Sequence, residues 1–194
     1  MKGDRQRGKQ PDEPIGLVAF LGNPGRQYAR SRHNVAWMVA DRYSRSDPAG
    51  WKEKFHGRFE RQGETVLLEP DTFMNHSGRS VQAACSFFQI PPARLLLVHD
   101  DLETAFGRVE LAWAGGHRGQ NGVRSTVQAL GSGEFWRLRV GIGRPPGGRS
   151  VGDWVLERFS SDEEARLDEV LGLAASLLRD RLASPREERR SLGA

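Results

Sequence analysis

Apolar positions along the chain fall into short blocks of two kinds, unbroken runs and spaced stripes. Ile15 to Leu21 is an apolar run between Pro14 and the turn Gly22-Asn23-Pro24-Gly25, which predicts a buried strand ending in a tight loop. Val35, Met38 and Val39 share one helical face, so a helix is expected after Asn34, whose side chain can cap it, with Asp47-Pro48-Ala49-Gly50 ending that region. Phe55, Gly57 and Phe59 alternate with polar residues and Thr65 to Glu69 follows, predicting two strands joined near Gly63, the second broken by Pro70. Ser77 can cap a helix carrying Val81, Ala84, Cys85 and Phe88, which Pro91-Pro92 stops. Leu95 to Val98 reads as an all-apolar strand that delivers His99, Asp100 and Asp101 at its end.

The second half continues the alternation. Val109, Leu111 and Trp113 predict a strand, Gly115 to Gly122 a glycine-rich loop, Val123 to Leu130 a short helix, Phe135 to Ile142 a strand and Gly143 to Ser150 a loop. Ser161 and Glu164 have capping-box spacing ahead of a long helix with Leu167, Val170, Leu171, Ala174, Leu177 and Leu178 inward. Strands interleaved with helices, without internal repeats, predict a single α/β domain over residues 14–184, a twisted, mixed, mostly parallel sheet flanked by helices. Residues 1–13, with Lys2, Arg5, Arg7 and Lys9 and no periodicity, are expected to be a disordered basic arm, and 185–194 a disordered charged tail.

Composition narrows the function classes. With 37% apolar residues in a chain of 194 and no apolar run near the ~20 residues a bilayer needs, neither a membrane span nor a disordered chain is expected. No hydrophobic segment follows the charged amino terminus, so no export is signalled and a cytoplasmic protein is expected. The single cysteine, Cys85, removes any disulfide framework and any multi-cysteine metal site, and on an apolar helix face it reads as a small core residue. A net charge of +4 permits a polyanionic partner without requiring one.

In sheets of this kind, sites gather where loops leave the carboxyl ends of strands. The first such loop holds Asn23, Arg32, His33 and Asn34; the second Phe73, Met74 and Asn75; the third His99, Asp100 and Asp101; the glycine-rich stretch adds His117, Arg118, Gln120 and Asn121. The spacing of His99, Asp100, Asp101 and His117 matches no zinc motif, and no metal or cofactor is expected. Gly148-Arg149-Ser150-Val151-Gly152 fits G-x-S-x-G but follows Pro145-Pro146 rather than a strand, so it reads as chance. The glycine-rich loop lacks the endings of a nucleotide cradle.

Leu21-Gly22-Asn23-Pro24-Gly25 with Tyr28 and Arg32-His33-Asn34, then Thr72-Phe73-Met74-Asn75 with Ser77-Gly78, His99-Asp100-Asp101-Leu102, Gly115-Gly116-His117 and Asn121-Gly122 resemble bacterial peptidyl-tRNA hydrolases. The likeness runs on through Phe135 to Gly143 and covers roughly residues 15 to 160. It implies a cytoplasmic, monomeric hydrolase that splits the ester between a peptide and the tRNA 3′ end, recycling tRNA from aborted translation without metal or cofactor. It also implies His33 as the catalytic base and Asp100 as its partner, with Asn23, Asn75 and Asn121 holding substrate and water; Tyr28 is expected at the substrate site, and Phe73 and Met74 are expected either to line it as a stacking wall or peptide-side pocket or to pack in the core. The chemistry agrees, since imidazole titrates near neutrality and a carboxylate on one ring nitrogen frees the other to take a proton from water. His99 also adjoins Asp100, but neighbours on a strand point to opposite faces, so it is expected to be structural.

Two departures from the family pattern stand out. Its usual Gly-Gly-His-Gly-Gly-His-Asn-Gly is here Gly115-Gly116-His117-Arg118-Gly119-Gln120-Asn121-Gly122, and Ala112 lies near where a lysine of a tRNA phosphate clamp is usual. Arg118 is expected either to replace that lysine beside Arg139 or to stand solvated on its loop. The rival readings are a noncatalytic RNA-binding relative of the same fold and a small-molecule esterase.

Overall fold

The computed structural model describes residues 10–44 and 50–193. Eight strands form one sheet among the described residues: β1 (Leu17–Phe20), β2 (Lys52–Lys54), β3 (Gly57–Gln62), β4 (Thr65–Pro70), β5 (Leu95–Asp101), β6 (Arg108–Trp113), β7 (Trp136–Gly141) and β8 (Glu188–Ser191). Their order across the sheet is β2-β3-β4-β1-β5-β7-β6-β8. The centre β4-β1-β5-β7 is parallel and both flanks are antiparallel, which is the mixed α/β sheet expected.

Alternation along the buried strands sends side chains to two cores. Val18 and Phe20 face the layer made by α1 (Val35–Ser44) and α5 (Ser161–Arg181), while Leu17, Ala19 and Leu21 face α2 (Ser77–Phe88) and α3 (Asn121–Leu130). A Cβ on Gly78 would lie 2.2 Å from the Ser125 carbonyl oxygen, so glycine is what lets α2 lie against α3. α2 follows the carboxyl end of β4, and α3 begins beside the carboxyl end of β5, where Gln120 meets Asp100, so their first turns lie among the loops singled out by the sequence.

Several expected details are corrected. Phe55 is not in a strand: Phe55 and His56, at φ 59° and 53°, form the two-residue turn between β2 and β3. That geometry favours Asn-Gly, and here it is held by packing of the Phe55 ring on Phe59, Phe87 and Phe88. Asn34 does not cap α1, because its side chain is committed to Asn23. Ser77 does not cap α2 either; it is the first helical residue, buried, and entered through a 3-10 turn at Met74–His76. The capping box of α5 is Ser160 with Glu163, one residue earlier than expected, because Glu163 also takes a bidentate contact from Arg32.

Part of the tail read as disordered is strand β8, paired antiparallel with β6. The stretch has no hydrophobic alternation to announce it. Backbone pairing along the edge of β6 and the ion pairs of Arg190 with Asp180 and of Glu188 with Arg181, both on α5, hold it there. Residues 1–9 of the expected basic arm and 45–49 of the expected turn lie outside the described residues.

Candidate active site

The sequence Arg32-His33-Asn34 forms a 3-10 turn that enters α1, and both its flanking residues are fastened. Arg32 is buried, bonded through both terminal nitrogens to Glu163 at 2.8 and 2.6 Å, and stacked 3.6 Å above the Trp154 ring of the short helix α4 (Val151–Leu156). Asn34 accepts from the Asn23 backbone N–H and donates to its carbonyl, each at 2.9 Å. His33 therefore sits on a turn tied to α5 on one side and to the β1 loop on the other.

The end of β5 supplies its partner. Asp100 is buried, and its Oδ1 lies 2.9 Å from Nδ1 of His33. The distance is short but the N–H is poorly aligned with the oxygen. Burial opposes protonation of His33, yet the charge and hydrogen bonding of Asp100 outweigh it and hold the imidazole pKa above its ordinary value. Burial likewise opposes ionisation of Asp100, and His33 together with a hydrogen bond from Gln120 holds its carboxyl below the usual range. Each partner stabilises the charged form of the other.

His99 is different. Its Nδ1 faces the Asp100 carbonyl at 2.7 Å, and full burial pushes its pKa down to about 4. It lies in the strand with no path to a reacting group apparent from its 3% exposure.

The loops are joined to one another by side chains. Asn23 Oδ1 accepts the Met74 N–H at 2.7 Å, tying the β1 loop to the β4 loop. Met74 is buried, and its sulfur lies 3.3 Å from Nε2 of Gln120. The same nitrogen donates to Asp100 Oδ1 at 2.8 Å, while Oε1 of Gln120 accepts from the N–H groups of Gly122 and Val123 and so caps α3. A Cβ on Gly122 would lie 2.6 Å from the Met74 sulfur and 2.8 Å from Leu21 Cδ1, so glycine after Asn121 lets these side chains close over the loop without shifting. His33, Asn34, Asn23, Met74, Gln120 and Asp100 thus make a closed ring across loops from different strands. Gln120 is the member that sequence reading undervalued; its place in a family motif usually held by histidine was the signal.

The remaining expected residues are placed unevenly. Tyr28 meets Phe73 edge-on at 6.5 Å, and Phe73 is 53% exposed, so of Phe73 and Met74 only the former offers surface to a ligand. Asn75 and Asn121 are exposed, one in the 3-10 turn before α2 and the other at the first position of α3. Arg118 and Arg139 are brought together around Glu110, at 3.9 and 3.3 Å from its Oε2, and Arg189 of β8 bonds the other oxygen at 2.9 Å. Arg139 is buried to 5% exposure, which leaves Arg118 and Arg189 as the outward cations of this cluster. Arg189 could not be found from sequence once the tail was read as unstructured. Among the described residues no His, Cys, Asp or Glu cluster is arranged to hold a metal ion, and no helix is long and apolar enough to cross a membrane.

Comparison with known proteins gives a consistent picture. A family profile described as peptidyl-tRNA hydrolase matches residues 17–190. The peptidyl-tRNA hydrolase of Sorangium cellulosum is 47% identical over 164 residues, covering 80% of this chain and 73% of the relative. That of Geotalea daltonii is 46% identical over 177 residues, covering 87% and 92%. The crystal structure of peptidyl-tRNA hydrolase from Acinetobacter baumannii superposes with a TM-score of 0.73 at 36% identity, covering 85% of this chain and 87% of that one.

Proposed function

This chain belongs to the peptidyl-tRNA hydrolase family and is an enzyme that hydrolyses peptidyl-tRNA, and we propose that it does so with His33 as general base and Asp100 as its orienting carboxylate. The observation that carries this reading is the buried contact of 2.9 Å between His33 Nδ1 and Asp100 Oδ1. With the proton kept on Nδ1, Nε2 takes a proton from water as that water attacks the ester carbonyl carbon. The tetrahedral intermediate then collapses, the bond to the tRNA 3′ oxygen breaks, and the imidazolium returns its proton to that oxygen. The products are tRNA with a free 3′ hydroxyl and a peptide carboxylic acid, which gives its proton to solvent and leaves as the carboxylate. Asp100 stabilises the imidazolium in between, and general-base assistance of this kind contributes of the order of 10² to 10⁴ in rate.

Around this pair the amides take different parts. With one lone pair of Asn23 Oδ1 taken by the Met74 N–H, Asn23 serves substrate chiefly as a donor through Nδ2. Asn75 holds substrate, Asn121 places the water, and Phe73 with Tyr28 forms the wall against which the terminal nucleoside or the first side chain of the peptide rests. Arg118, Arg139 and Arg189 present positive charge to tRNA phosphate, partly offset by Glu110. The site is assembled from loops of one chain, which supports a monomer, and its substrate arises where translation runs, which supports a cytoplasmic location.

The experiment is incubation with N-blocked and with free aminoacyl-tRNA. Release from the blocked substrate, abolished in His33→Ala with tRNA binding near wild type, is expected. Turnover retained within about tenfold in His33→Ala would remove the histidine from the chemistry. A noncatalytic RNA-binding relative would bind tRNA and release nothing, and a small-molecule esterase would act on simple esters as readily as on tRNA.

A further inference from the structure

Arg118 stands where the backbone asks for glycine. Its φ is 47°, a left-handed conformation that costs a residue with a side chain about 1 kcal/mol, and Gly119 follows at φ 83°. Such a residue persists only where its surroundings over-determine it. Here they do so through Asp101: Nη1 of Arg118 donates to Asp101 Oδ2 at 3.0 Å, and the same oxygen accepts the Thr104 hydroxyl at 2.5 Å. Asp101 is 3% exposed, so the ion pair is anchored in the strand rather than left in solvent.

A second tie lies two residues on, where Gln120 donates to Asp100 Oδ1. Loop residues 118 and 120 therefore grip the consecutive strand residues 101 and 100, whose side chains leave β5 toward opposite faces. One grip would leave the loop free to pivot; two on opposite faces fix its position and its rotation. The segment between them is itself closed, with the Gln120 N–H donating to the His117 carbonyl at 2.8 Å and the Gly119 N–H to His117 Nδ1 at 3.1 Å. A displacement of Arg118 is thus passed to Gln120 instead of being absorbed.

Both residues depart from the usual family motif, and the geometry makes them departures of a single device. We propose that Arg118 and Gln120 form one positioning unit, in which the Arg118–Asp101 ion pair sets the glycine loop so that the Gln120 amide holds the Asp100 carboxylate toward His33. The unit rests on the base role proposed above for His33. Arg118 touches no reacting group and acts on the chemistry through Gln120, so on a minimal 3′-end substrate, where its contact to tRNA phosphate plays no part, its loss is felt in kcat and in the titration of the histidine more than in KM.

The test compares Arg118→Gly, Arg118→Lys, Gln120→Leu and the Arg118→Gly/Gln120→Leu double variant. Glycine relieves the left-handed strain, so Arg118→Gly is expected to fold. Gln120→Leu leaves the Asp100 charge less compensated, which favours imidazolium; the acid limb of kcat/KM should move to higher pH, with kcat lower by about tenfold. Arg118→Gly should move the limb in the same direction by less, and on the Gln120→Leu background it should add nothing. A mere loss of positive charge would act through space and persist on that background, so additive shifts overturn the proposal.

A second readout needs no turnover. The side-chain amide protons of Gln120 should titrate together with the His33 ring in NMR spectra of the wild type, cease to do so in Arg118→Gly, and recover in Arg118→Lys. This measurement decides alone if Gln120→Leu does not fold. A wild type that shows the coupled titration yet releases nothing from blocked aminoacyl-tRNA would overturn the hydrolytic role of His33 and leave the positioning unit standing. An unchanged Gln120 titration in Arg118→Gly would overturn the unit.

Discussion

Asn34 bonds the backbone of Asn23 as a strand neighbour would, taking its N–H and giving to its carbonyl at 2.9 Å each. This joins the turn that carries His33 to the loop that leaves β1, and both residues are buried. Asn34→Asp keeps the acceptor but loses the donor and sets a charge against a carbonyl oxygen. It should lower stability by about 1 to 3 kcal/mol, the cost of a buried unsatisfied group, and lower kcat while tRNA affinity stays close to wild type. Urea unfolding and single-turnover kinetics check this; an unchanged unfolding midpoint would show that the two loops hold their places independently.

The rate should fall on the acid side through a pKa above the ordinary histidine value, because the Asp100 charge outweighs burial. In Asp100→Asn only burial remains, so the limb should move to lower pH while the rate drops. The signs for stability follow from the same shifts. His33, raised in the folded state, contributes fully below its unfolded pKa and loses that contribution as pH rises through its folded value. Asp100, depressed in the folded state, contributes above its unfolded pKa and loses it as pH falls through its folded value. Unfolding midpoints of wild type and His33→Ala across pH 3 to 9 should therefore converge toward high pH. A flat activity profile between pH 5 and 8 would speak against a histidine base.

The three asparagines should separate by burial. Asn23→Ala removes the acceptor of the Met74 N–H and should cost stability as well as activity. Asn75 and Asn121 are exposed, so their alanine variants should stay within about 0.5 kcal/mol of wild type in stability. Each should still lose roughly five- to a hundredfold in activity, Asn121→Ala in kcat and Asn75→Ala at least partly in KM. Full activity in both exposed variants would make those loops structural only.

Arg189 pairs with Glu110 across β6 and β8 and remains 80% exposed, so it can turn to a phosphate without leaving a buried carboxylate wholly unpaired. Arg189→Ala should weaken tRNA binding and flatten its salt dependence by roughly one unit or less, while hydrolysis of a minimal 3′-end substrate is spared. Equal salt slopes in wild type and Arg189→Ala would place the phosphate contacts elsewhere.

Much of this protein is legible in the chain because periodicity and covalent turn chemistry are local. The apolar runs Ile15 to Leu21 and Leu95 to Val98 contain β1 and the first part of β5, the stripe from Leu167 to Leu178 is a buried helix face, and His33 and Asp100 stand in the turn and at the strand end where the motifs put them. What sequence could not settle is whatever depends on a partner distant along the chain. Asn34 and Ser77 look like caps by residue type, but a cap forms only if its side chain has no better offer, and Asn23 and the helix interior decided otherwise. Glu163 rather than Glu164 closes the capping box because Arg32 arrives from 131 residues away. The charged tail becomes a strand because the edge of β6 is there to pair with it, an edge that exists only once the sheet is built. Gln120 meets Asp100 for the same reason: hydrogen-bond length is fixed by tertiary approach, and residue spacing carries no record of it.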